Sequence, residues 1–235
     1  KKALSANMGI EELHDPGLII FTATLNDQQS LDDVKKTILE TVKGVVAEPP
    51  SKEEVDRAKT RIVQAMDRLG VGRALATSYR SIWFDAVEGN ASTLESCAAS
   101  NGRLAPAAIV NLSGYDPYAA TVSKLKSQGF KACVLMSGLF GWTAANFALR
   151  SVAKEAADAA MPLQICVRHP LDLALAADAA GPSGGPVMLR WMRGGGYTIM
   201  QDLLAIGREY SNILIDVGTL TQSGAIDHKI GRAHV

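Results

Sequence analysis

Ala107-Ala-Ile-Val-Asn-Leu112 and Ala132-Cys-Val-Leu-Met136 decide how this chain folds. Both are short runs that are apolar almost throughout. A strand with one wet face alternates apolar and polar residues; a strand without that alternation is buried on both faces, as parallel strands lying under helices are. Working outward, strand-like runs recur at residues 73–77, 104–112, 130–136, 162–167, 186–191 and 213–216, with helical stretches between them, clearest at 117–128, 144–160 and 198–210. Six strand–helix units in about 145 residues, with no glycine fingerprint at the first, fit a (β/α) barrel better than a dinucleotide-binding sheet. Gly70-Val-Gly72 lacks the third glycine and the preceding strand of such a loop.

Upstream the grammar changes. Gly17-Leu-Ile-Ile-Phe-Thr-Ala-Thr-Leu25 reads as a strand leaving the Asp15-Pro16 turn. Ser30 N-caps a helix with Leu31, Val34, Ile38, Val42 and Val45 at helical spacing, and Pro49-Pro50 ends it. Ser51-Lys-Glu-Glu54 is a capping box for a second helix, striped by Val55, Ala58, Ile62, Ala65, Met66 and Leu69. The fold expected is therefore α/β: an incomplete (β/α) TIM-type barrel over 67–229, preceded by a small α+β strand–helix–helix fragment over 1–66.

Composition bounds the function. Lys and Arg together balance Asp and Glu at 24 each, and residues 1–69 hold 10 basic and 12 acidic side chains. Neither part has the basic excess that a polyanion requires, so no nucleic acid is expected as partner. No apolar run approaches the roughly 20 residues that span a bilayer, so no membrane is expected either. Cys97, Cys133 and Cys166 are widely spaced and fit buried thiols of a reducing compartment, which places the barrel part in the cytoplasm and leaves the first part unassigned. The chain opens Lys1-Lys2-Ala3-Leu4 with no signal segment, and reads as sequence inside a longer frame.

Two family resemblances follow from motifs that do not overlap. Residues 1–66 resemble zinc peptidases of the pitrilysin/insulinase type, through Glu12-Leu-His-Asp-Pro-Gly17, Ser30-Leu-Asp-Asp-Val34 and Pro50-Ser-Lys-Glu-Glu-Val-Asp-Arg-Ala-Lys59. The resemblance implies a segment downstream of that family's H-x-x-E-H zinc motif. No two of His14, His169, His228 and His234 have that spacing. Residues 66–229 resemble the amidohydrolase-related (β/α)8 metal hydrolases, in the branch with decarboxylases and lactone hydrolases. The likeness is carried by Met66-Asp-Arg-Leu-Gly-Val-Gly-Arg-Ala-Leu75, Phe84-Asp with Glu88-Gly-Asn90, Gly129-Phe-Lys131, Pro162-Leu-Gln-Ile165, Arg190-Trp-Met-Arg-Gly-Gly-Gly196 and Asn212-Ile-Leu-Ile-Asp216.

The second resemblance implies a divalent metal such as zinc, held by H-x-H after strand 1, His after strands 5 and 6, and Asp after strand 8. Here strand 1 would fall in the peptidase-like helix, Trp191 stands at the strand-6 position, His169 lies just past the strand-5 position, and the sequence stops before strand 8. No cofactor is therefore expected in this chain, and no activity. The two likenesses meet at Met66-Asp-Arg-Leu69, which either family can supply, so the chain reads as a chimera of two fragments. Ile230-Gly-Arg-Ala-His-Val235 resembles a translated sequencing adapter, an artefactual tail.

The binding candidates that remain are Arg168, His169, Arg190, Trp191 and Asp216. Barrel sites sit at strand C-termini, and arginine pairs hold small carboxylates by bidentate hydrogen bonds. A metal-free barrel binding a small-molecule carboxylate is the alternative, and a non-catalytic piece of a metallopeptidase is another. His169 before Pro170 otherwise reads as a loop residue, and His14 as a turn residue. Asp216 either binds a substrate or caps a loop. Gly194-Gly-Gly196 is either a phosphate cradle or a permissive turn, and the Trp83-Phe84 and Phe140-Gly-Trp142 pairs read as packing. Unpaired strand edges make aggregation the expected association.

Overall fold

The computed structural model describes residues 3–11, 18–26, 28–116, 119–192 and 198–216. His14, the Gly194-Gly-Gly196 turn and the tail 230–235 lie outside the described residues. The chain divides into two compact units, Lys1–Gly70 and Val71–Val235.

In the first unit β1 (Ser5–Glu11) and β2 (Leu18–Thr24) pair antiparallel, from Ser5 against Thr24 to Glu11 against Leu18. The sequence reading of one strand and two helices is thus corrected to two strands and two helices. Ser5-Ala-Asn-Met-Gly9 has little strand propensity of its own, and pairing with the β-branched β2 supplies what propensity does not. Helices α1 (Leu31–Ala47) and α2 (Lys52–Arg68) begin where expected. Ser30 accepts from the Asp33 N–H, and Ser51 with Glu54 forms the full capping box. Their stripes are less buried than the periodicity implies. Val34 and Met66 are buried, but Leu31, Val55 and Ile62 are exposed. Two strands and two helices offer too little area to cover both stripes.

The second unit is built on six parallel strands in sequential order: β3 (Ala74–Ala76), β4 (Leu104–Ile109), β5 (Ala132–Met136), β6 (Leu163–Val167), β7 (Val187–Trp191) and β8 (Ile213–Asp216). The order never reverses, so there is no topological switch point and the sheet curls one way, as an incomplete TIM-type barrel. Helices α3 (Tyr79–Trp83), α4 (Ala86–Ala98), α5 (Thr121–Ser127), α6 (Ala148–Asp158), α7 (Pro170–Ala180) and α8 (Thr198–Glu209) fill the crossovers. Along the outer layer α5, α6, α7 and α8 pack on one another in turn.

The strand pleat separates two cores. Ala108, Cys133, Leu135, Ile165, Val167, Leu189, Trp191 and Ile213 face the helices and join Leu149, Val152, Leu173 and Leu203 in the main cluster. Ala107, Ile109, Ala132, Val134 and Cys166 face the concave side with Met136 and Phe140. This is why β4 and β5 read as continuous apolar runs. All three cysteines are buried and free. Among the described residues no helix is long and apolar enough to cross a membrane.

The Glu88-Gly-Asn90 stretch has a structural part in this unit. Asp85 N-caps α4, its Oδ1 accepting from the Glu88 N–H at 2.7 Å. Gly89 lets α4 lie directly on α3, since a Cβ there would stand 2.0 Å from the Ser81 nitrogen.

Candidate functional site

Register aligns Met136, Cys166, Arg190 and Asp216 across β5 to β8. Their chain neighbours Leu135, Ile165, Val167, Leu189 and Trp191 belong to the helix-facing core. The pleat therefore turns the row to the concave face, near the strands' C-terminal ends. Arg190 Nε lies 3.4 Å from Asp216 Oδ2, with side chains 43% and 26% exposed. Such half-solvated pairs are worth at most about 1 kcal/mol. Arg190 Nε is itself buried without a hydrogen-bond acceptor among the described residues. Gln164, also on this face, donates from Nε2 to Cys166 Sγ at 3.3 Å. Burial pushes the Cys166 thiol up and Asp216 adds to this, while the Gln164 hydrogen bond and the Arg190 charge pull it down; the net direction is up. The row thus presents a guanidinium, a carboxylate and a neutral thiol.

Arg168 and His169 lie elsewhere. With Gly138, Thr143, Leu171, Asp172 and Leu175 they line a cleft of about 600 Å³ between the β5–α6 loop and the start of α7. His169 is not a simple loop residue: it N-caps α7, Nδ1 accepting from the Leu171 N–H at 3.3 Å, with Pro170 in the first helical position. That bond makes Nε2 the protonated nitrogen of the neutral ring. Asp172, in the first turn of α7, is buried and fully used. Its Oδ2 accepts from Ser137 Oγ at 2.6 Å and its Oδ1 from the Ala144 N–H at 3.0 Å, tying the β5–α6 loop to α7. The acid two residues after Pro170 was the available signal for it.

Trp191 is separated from both places. It is 4% exposed and packs in the helix-facing core, although Arg190 beside it faces the concave side. The five sequence candidates therefore fall into three settings: Arg190 with Asp216, Arg168 with His169, and Trp191 in the core. Trp142 is buried in the core and Phe140 half-buried against it, as packing requires. Phe84 departs from that expectation at 84% exposed.

A water-activating divalent ion needs about three preorganised anionic or imidazole donors and an open position. Among the described residues no three His, Cys, Asp or Glu side chains gather in that way. The concave row has a guanidinium at its centre with one carboxylate and one thiol beside it, and His169 is engaged as a helix cap in another cleft. These donors do not fit the metal that the barrel resemblance implies.

The family model described as the Peptidase M16 inactive domain matches residues 2–62. No curated protein matches the chain by sequence. Among solved structures, 4-oxalomesaconate hydratase from Rhodopseudomonas palustris is similar at TM-score 0.50 and 14% identity, over 84% of this chain and 72% of that one. A 5-carboxyvanillate decarboxylase from Novosphingobium aromaticivorans, solved with manganese and 4-hydroxy-3-methoxy-5-nitrobenzoic acid, is similar at TM-score 0.47 and 17% identity, over 83% of this chain and 77% of that one. At 14% identity the likeness to the hydratase is one of fold.

Proposed function

We propose that the chain joins two pieces of unrelated descent and carries out no metal-assisted hydrolysis or decarboxylation of its own. Its larger unit derives from an amidohydrolase-type barrel whose remaining capacity is to hold a small carboxylate at Arg190. One observation carries this reading: the concave row has Arg190 at its centre, between Cys166 and Asp216. A guanidinium repels a divalent cation and suits a carboxylate. The Arg190 side chain is 43% exposed, so a ligand carboxylate competes with Asp216 for it at little cost. 4-Oxalomesaconate hydratase, similar in fold, is named for a carboxylated compound, which favours the same ligand class.

For the first unit, a non-catalytic piece of a zinc metallopeptidase is the reading that the match to the inactive peptidase domain favours. The junction is proposed at Met66-Asp-Arg-Leu69, between the end of that match and the first barrel strand. The tail 230–235 is proposed as translated adapter sequence. Two experiments test these proposals. Calorimetric titration of benzoate and succinate into the wild type and Arg190→Met should give weak saturable binding to the wild type alone; equal binding to both removes Arg190 from the reading. Amplification across the codons for residues 66–69 from independent samples should fail; a recurring product makes the join natural.

A further inference from the structure

We propose that the corner between α3 and α4 is a site for a small alkylammonium ion, separate from the Arg190 row and independent of its function. Tyr79, Arg80, Trp83, Phe84, Asp85 and Glu88 line a cleft of about 670 Å³. Tyr79 and Trp83, one helical turn apart, set their ring centroids 5.6 Å apart at 35°. Tyr79 is 64% exposed and Phe84 84% exposed, so this corner offers aromatic surface to solvent that nothing in its own unit covers among the described residues. Scattered exposed aliphatics need no explanation, but several aromatic rings lining one cleft mark a binding surface.

Charge selects the ligand. Arg80 is ion-paired with Glu88. Asp85 has no cationic partner among the described residues, and its carboxylate accepts the capping bond from the Glu88 N–H at 2.7 Å. Two carboxylates against one guanidinium leave the cleft a net negative charge. An anion is therefore repelled. A neutral apolar ligand gains the rings but strips water from Asp85 without replacing it. An alkylammonium ion satisfies both: its charge meets the carboxylate and the negative faces of the rings, and its methyl groups meet their apolar surface.

The test uses the full chain and choline chloride, followed by calorimetry at constant ionic strength, with 3,3-dimethylbutan-1-ol as the uncharged isostere. Asp85→Asn is the informative variant, because Asn caps a helix as well as Asp does and only the charge is removed. Tyr79→Leu removes a ring and keeps apolar bulk and helix propensity. Choline should bind saturably and the alcohol should not, and each variant should weaken choline binding by about 3- to 30-fold. Thermal melts identify any variant that has lost its fold; should Tyr79→Leu unfold, Asp85→Asn decides alone. Absence of saturable choline binding, equal binding of the alcohol, or unchanged affinity in folded Asp85→Asn overturns the proposal.

Discussion

The carboxamide of Asn90 holds both main-chain groups of Ile109: Nδ2 donates to the Ile109 oxygen at 2.9 Å and Oδ1 accepts from the Ile109 N–H at 2.9 Å. β3 pairs with β4 only as far as Ala76 against Pro106, so beyond that point Asn90 stands where a neighbouring strand would. Asn90→Ala leaves two buried groups of β4 unpaired and should cost about 2–4 kcal/mol in urea unfolding. Asn90→Asp, which keeps the shape and loses the donor, should also destabilise. A loss well under 1 kcal/mol for Asn90→Ala would mean that water replaces the amide freely.

Two helical glycines should respond to alanine with opposite sign. Ala in a helix interior is favoured over Gly by about 1 kcal/mol, and Gly207 has room for it, with Ile215 Cδ1 at 3.6 Å from the added carbon. Gly207→Ala should raise the melting temperature. Gly89→Ala places a Cβ 2.0 Å from the Ser81 backbone and should lower it sharply by forcing α3 from α4. Equal shifts for both variants would contradict the close helix approach.

Asp172 is a clamp, and its loss should loosen the loop it holds. Asp172→Ala strands Ser137 Oγ and the Ala144 N–H in a buried setting, costing about 2–4 kcal/mol. Hydrogen exchange should rise first at residues 137–147. Unchanged protection there would make the carboxylate incidental.

Much of this architecture was legible beforehand, and the reasons are local. α1 and α2 were readable because Ser30 and Ser51 are caps with acid in the first turn. β4 and β5 were readable because burial on both faces leaves a nearly unbroken apolar run. β1 was not, since its strand character comes from its partner. α7 is apolar around most of its circumference and has no periodic face; its start is marked instead by His169-Pro170. The separation of Trp191 from Arg190 follows from strand parity, but only once the register fixes which parity faces the helices. The link between Asp172 and Ser137 spans 35 residues and has no sequence signature.

Alkali should destabilise the barrel unit through Cys133. Burial, with the Glu155 charge adding to it, pushes this thiol from 9.0 up to about 12. The unfolded chain releases the proton first as pH rises. The contribution of Cys133 is therefore complete below pH 9.0 and is lost progressively toward about pH 12. Urea unfolding across that range should show the wild type losing stability faster than Cys133→Ala. Parallel pH profiles for the two proteins would mean the thiol ionises in place.

The claim that the larger unit lacks a water-activating metal centre is tested most directly by calorimetric titration of zinc and of manganese into the full chain. The account predicts weak binding, removed by a chelator and unchanged in His169→Ala, because His169 serves as a helix cap and Arg190 occupies the centre of the concave row. Stoichiometric, submicromolar binding that disappears in His169→Ala would contradict it and make the unit a working metal hydrolase.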